Sequence, residues 1–125
     1  MNIKELFSLA GKGIKNFDKI VEGVWNEINL KTLSEAQKKE ILNRTKACAE
    51  CPYNSINARN SEEYFKLYGK HYHSSRKDEH CGICGCVLKF KITSFSSNCG
   101  LETHNQRHPE TKQELKWKAF REQDN

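Results

Sequence analysis

The chain has 125 residues, 30% of them charged, and a formal net charge of +5 at neutral pH. Leu, Ile, Val and Phe together make up about a fifth of it, near the level at which a packed core starts to fail. That excludes a large hydrophobic core and leaves one small domain, or one with an appended arm, held by a covalent or metal staple.

Residues 1–13 do not have the form of an export signal, because Lys4 and Glu5 interrupt a short apolar run. No stretch approaches the roughly 18 apolar residues of a membrane span. The expected setting is therefore cytoplasmic and reducing, with no membrane partner. There, thiols stay free and metal sites outnumber disulfides, although six cysteines also permit three disulfides.

Asn2 and Glu5 form a capping-box pattern ahead of Ile3, Leu6, Phe7 and Ala10, and Gly11 to Gly13 end that short helix. The spacing of Ile14, Phe17, Val21, Val24 and Ile28 predicts a second, amphipathic helix. It either faces the core or docks a protein partner through Ile14 to Ile28. Ser34 with Gln37 caps a third helix running through Ile41, Leu42 and Thr45 towards Cys48. Lys38, Lys39, Arg44 and Lys46 on it read as a solvated face.

Beyond Cys51-Pro52, residues 53–59 read as loop. Asn60 with Glu63 would cap a short helix ending at Gly69, whose aromatics Tyr64, Phe65 and Tyr68 cover the metal site. Residues 70–80 form a polar loop. Leu88, Phe90 and Ile92 alternate with Val87, Lys89 and Lys91, which predicts a strand. Leu115, Trp117 and Ala119 alternate likewise and offer it a partner, although Thr111 with Glu114 equally suits a helix cap.

The strongest motif is Cys81-Gly82-Ile83-Cys84-Gly85-Cys86, which answers Cys48-Ala49-Glu50-Cys51 across 29 residues. Two thiolates separated by two residues reach one ion from a tight turn, and a glycine after the second accepts the positive φ such turns require. The spacing points to zinc held by Cys48, Cys51, Cys81 and Cys84. Cys86 and Cys99 then join His104 and His108 in a second site or build a binuclear cluster, or Cys86 displaces Cys81 as a ligand and the spare thiols stay buried. His80, beside Cys81, could substitute as a ligand.

Ile20 to Gly23 with Asn26, Arg44 ahead of Cys48 and Cys51, and Cys81, Cys84, Gly85, Cys86, Leu88, Lys91 and Cys99 form a wider pattern. It resembles small cysteine-rich proteins encoded by tailed bacteriophages of gut Bacteroides-type hosts. That group usually has proline after the last cysteine, where Gly100 stands here. The resemblance implies metal binding and phage origin, and no activity.

The expected fold is α+β. A helical arm over residues 1–46 precedes a zinc-binding domain over 47–125, with a zinc-ribbon or treble-clef-like core. The expected function is a non-enzymatic, zinc-stabilised binding module acting on nucleic acid or its machinery. Lys89, Lys91, Lys116 and Lys118, interleaved with Phe90 and Trp117, are its contact residues. The alternative is a structural or adaptor protein, possibly of the virion, docking through Ile14 to Ile28. His104-Asn105 lacks the flanking residues of a His-Asn-His nuclease, and all-thiolate zinc leaves no open catalytic position.

Overall fold

Helix α1, Glu35–Glu50, starts where Ser34 and Gln37 place it. Ser34 Oγ accepts from Gln37 N at 3.1 Å, and Gln37 Oε1 accepts from Ser34 N at 2.9 Å. Such reciprocal caps are worth about 1 kcal/mol. The computed structural model describes residues 32–121. The expected helices over 3–10 and 14–28, including the docking surface from Ile14 to Ile28, lie outside the described residues.

The buried face of α1 carries Ile41, Arg44, Thr45, Cys48 and Ala49, the three-and-four spacing of a helix stripe. Its C-terminal carbonyls are taken up by two asparagines from the loop that follows. Asn54 Nδ2 donates to Cys48 O at 2.5 Å, and Asn57 Nδ2 donates to Ala49 O and Cys51 O at 3.0 Å. Asn54 Oδ1 accepts from the backbone of Ile56 and Asn57. This loop is thus a helix cap, and Asn54 is buried.

Helix α2, Glu62–Tyr68, is capped by Ser61 rather than Asn60, with Ser61 Oγ accepting from Tyr64 N. It ends at Gly69, whose φ of 71° is left-handed, as the sequence suggests. Tyr64 packs against Tyr68 with the rings tilted by 43° and, beyond the helix, edge to face against Tyr72.

Helix α3, Leu88–Thr93, replaces the expected strand. In strand phase Leu88, Phe90 and Ile92 would share a face. Instead Leu88 and Ile92 are buried, four residues apart, while Phe90 is 54% exposed. The operative period is therefore that of a helix. The face is set by packing against α1, and six residues of alternation cannot decide between the two.

Helix α4, Leu101–Arg107, and short 3-10 turns at Ala58–Asn60 and Pro109–Thr111 complete the regular structure. Residues 112–121 carry neither the second strand nor a terminal helix. They lie against the loop ahead of α4 through single bonds: Cys99 N to Trp117 O, Phe120 N to Phe95 O, and Ala119 N to Asn98 Oδ1.

The expected α+β fold with a zinc-ribbon or treble-clef core is accordingly corrected. The described residues are mostly helical and form no sheet, only isolated bridges at Asn54–Cys81 and His80–Val87. The segments that would have built the ribbon each satisfy their backbone elsewhere: one inside α3, the other against the loop before α4.

Arg44 joins these pieces. Its side chain is fully buried, not part of a solvated face. Nη1 donates to Ile92 O and Ser94 O, Nη2 to Phe95 O and Lys118 O, and Nε to Glu40 Oε1. The guanidinium also lies 4.2 Å from the centre of the Trp117 ring. Arg44→Met should therefore destabilise the fold by at least about 3 kcal/mol in denaturant unfolding, because buried carbonyls lose their donors. Arg44→Lys should recover less than half of that loss, since an ammonium cannot reach four carbonyls at once. A loss below about 1 kcal/mol would contradict this role.

Candidate metal centre

The two thiol pairs are brought together by a short backbone exchange. Ser55 N donates to His80 O at 2.7 Å, His80 N to Ser55 Oγ at 3.1 Å, and Gly82 N to Tyr53 O at 2.7 Å. Cys48 sits in the last turn of α1 and Cys51 is its C-cap. Cys81 opens a tight turn in which Gly85 N donates to Cys81 O and Gly85 takes a φ of 77°. Backbone amides point at sulfur in both turns: Tyr53 N at Cys51 Sγ and Ile83 N at Cys81 Sγ, each at 3.4 Å. Such amides stabilise thiolate over thiol.

Cys48, Cys51, Cys81 and Cys99 line one cavity of about 20 Å³, together with Gly100, Trp117, Lys91 and Lys116. That volume suits a single water-sized occupant. Cys99 reaches it from the residue pair just ahead of α4. Gly100 has φ −58°, which proline would also suit, yet a Cβ there would lie 2.6 Å from Cys81 Sγ and 2.9 Å from Cys84 Sγ. Glycine is required by this close approach and not by backbone angle.

Burial pushes the Cys48 thiol up to about 12, opposed by Trp117 and raised further by Cys51 and Cys99. Burial likewise pushes Cys51 up to about 11, with Tyr53 N opposing it. Cys81 is held below the ordinary thiol value, chiefly because Cys84 donates to it, and Cys84 is pushed up strongly by the same bond. Burial raises Cys86, with Lys91 and Arg76 opposing.

The donor set suits a soft divalent ion. Trp117 Nε1 is buried without a hydrogen bond of ordinary geometry, and it lies beside Cys48, whose thiolate it favours. Lys116 and Lys91 supply positive charge near Cys51 and Cys86. All six thiols are free of disulfides. Among the described residues, no three or more His, Cys, Asp or Glu side chains already stand at metal-holding distances, so an ion would have to draw the thiols inward.

The expected second site is not assembled. His104 Nδ1 is bonded to Tyr68 OH at 2.7 Å, and Nε2 to the backbone oxygen and hydroxyl of Thr111 at 3.0 Å. His108 is exposed at the end of α4, 3.5 Å from Glu110. Cys99 belongs with the first group of thiols, and Cys86 lies beside Cys84. His80 is fully buried, with Nε2 on Tyr72 OH and Nδ1 on Asp78 O, so both ring nitrogens are occupied.

The four contact lysines fall at separate places. Lys91 and Lys116 line the thiol cavity, Lys89 lies 5.2 Å over the exposed Phe90 ring, and Lys118 borders a groove with Glu102 and Glu114. Trp117 is buried and offers no stacking face. Arg44 and Trp117, which complete the site, had no motif to announce them; the one signal was Arg44 lying one helical turn before Cys48.

No protein-family model matches the chain, and neither a curated protein nor a solved structure is significantly similar to it. Among the described residues no helix is long and apolar enough to cross a membrane.

Gly100→Ala should lower the melting temperature by several degrees, equivalent to about 1–3 kcal/mol of overpacking at sulfur. It should also raise the rate at which Cys81 is alkylated in the native protein. An unchanged melt and unchanged alkylation would show that the approach of Gly100 to the thiols is not required.

Proposed function

We propose that the protein is a non-enzymatic binding module whose fold is held by zinc in the thiol cavity. The observation that carries this reading is the meeting of thiols from α1, the Cys81 turn and the start of α4 around space for one ion. Zinc supplies charge neutralisation and a tetrahedral cross-link when bound. Such a cross-link would join three segments that meet in one small core, which suits a chain with few apolar residues. Four thiolates fill the coordination sphere, which supports a structural rather than catalytic ion.

Nucleic acid, or a protein bound to it, is the partner class we favour. The support is the positive balance of the chain and the exposed Phe90, flanked on α3 by Lys89 and Lys91. An exposed aromatic with adjacent cations suits single-stranded bases better than a duplex groove. The resemblance to phage cysteine-rich proteins fits this reading and would set it in the cytoplasm of an infected host.

Zinc is tested by comparing native with denatured mass of the protein purified without added metal. A native excess of one zinc is expected, together with a fall in melting temperature of at least about 10 °C on chelation. Equal masses and a chelator-insensitive melt would refute the zinc reading. The partner is tested by titrating labelled single-stranded oligonucleotides over a range of salt. Affinity should fall steeply with salt, and Phe90→Ala should weaken it by about 1–3 kcal/mol. Absent or salt-independent binding would remove nucleic acid as the partner.

A further inference from the structure

The described residues leave two large apolar side chains exposed, Phe90 on α3 and Phe65 on α2, the latter 45% exposed. We propose that the notch beside Phe65 takes one unpaired nucleobase, stacked on the Phe65 ring and hydrogen-bonded through its exocyclic amino group to Glu62. The loop after α2 then runs along the strand's phosphates. This site rests on the nucleic-acid reading above and adds to Phe90 a second contact, one that selects among bases.

The helix sets the geometry. Tyr64 and Tyr68, four residues apart, face the core, which leaves Glu62, Phe65 and Lys66 together on the outer face. Gly69, at φ 71°, then reverses the chain and brings the His71 ring to 5.0 Å from the Phe65 ring, centre to centre. Glu62, Phe65, Lys66 and His71 line a notch of about 290 Å³, the low end of the range for small-ligand pockets. The two rings, tilted at 42°, present an aromatic surface on which a base can stack.

Charge orients the strand. From Tyr64 to Lys77 the sequence holds four cations and no acidic residue, and Lys66, Lys70, Arg76 and Lys77 are all exposed. Arg76 is paired with Asp78, so the three lysines carry most of the attraction for phosphate. The loop is held in place: Arg59 Nη2 donates to Ser74 O at 3.3 Å, and Arg76 Nη1 to Gly85 O at 2.9 Å. His71 and Ser74 are three residues apart, so they lie within about 11 Å of each other and one short strand reaches both. Glu62 repels phosphate but accepts hydrogen bonds, so it suits the edge of a base and not the backbone. The amino groups of cytosine, adenine and guanine can donate to it. Uracil and thymine offer one N–H flanked by two carbonyl oxygens, which the carboxylate repels.

The test is titration of labelled cytosine and uracil oligonucleotides, about ten nucleotides long, against the wild-type chain and three surface variants. The two bases share a ring size and differ at one exocyclic position, so the ratio of their affinities reports the amino group. Cytosine should bind at least about 5-fold tighter than uracil. Glu62→Gln should level that ratio, because an amide both donates and accepts. Phe65→Ala should weaken both oligonucleotides by about 5- to 150-fold. Lys70→Ala should lower the slope of log affinity against log salt by about one. All three side chains are exposed, so each variant should melt within a few degrees of the wild type.

Phe65→Ala binding as tightly as the wild type, or a cytosine-to-uracil ratio unmoved by Glu62→Gln, would overturn the base notch and leave Phe90 as the contact. Inorganic polyphosphate competing as well as a cytosine oligonucleotide of equal charge would also overturn it, since polyphosphate has no base to stack. If the wild-type chain binds no oligonucleotide at all, the nucleic-acid reading itself fails, and this is seen before any variant is made.

Discussion

A buried arginine holds the parts of this protein in register. The Arg44 guanidinium carries five N–H groups, and five acceptors on four segments receive them. Moving a guanidinium out of water is unfavourable, and burial accordingly lowers its pKa, with Glu40 opposing the shift. The arrangement is stable only if every donor is met at once. That requirement fixes where α3 ends, where the loop over residues 94–98 turns, and where the C-terminal segment crosses Trp117. A shift in any one of these would leave a charged donor unpaired in the interior.

The same side chain connects the fold to the thiols. Arg44 lies one turn before Cys48 on the buried face of α1, close enough that its charge favours the Cys48 thiolate. Trp117, sandwiched between Arg44 and the cavity, stacks on the guanidinium and lies with its indole nitrogen beside Cys48. Scaffold and site are therefore one network rather than a site attached to a core. Cys48, Cys81 and Cys99 also belong to the core cluster with Ile41, Leu88, Ile92 and Leu101. In so small an apolar core, thiols occupy positions that larger side chains hold elsewhere.

What could be read from the sequence follows from how local each signal is. The Ser34 cap, the end of α2 at Gly69 and the left-handed Gly85 depend on a few neighbouring residues, and all three were legible. The path of α3 was not. Leu88 and Ile92 share a face in either period over so short a run, and only the surface offered by α1 and Trp117 sends Phe90 to the other side. Arg44 was misjudged for the same reason, since a helix of Lys and Arg gives no hint of which cation finds carbonyls. At the site, the cysteine pairs were legible from spacing. The setting of Cys99 was not, because it depends on Gly100 passing next to Cys81, a contact between residues 19 apart in sequence. His104 looked like a ligand by its spacing from His108, yet the hydroxyl of Tyr68 on α2 and Thr111 take up its ring.

The charge balance changes meaning once the side chains are placed. On the zinc reading, four thiolates around a divalent ion would leave two negative charges in a largely buried space, and nearby cations would have to offset them. Arg44 is buried behind Cys48, Lys91 is half-buried near Cys86, and Lys116 stays exposed near Cys51. Of the two lysines that border the cavity, Lys91 is then the one drawn towards the thiols. A partner that binds through charge would meet a surface less basic than the sequence total implies.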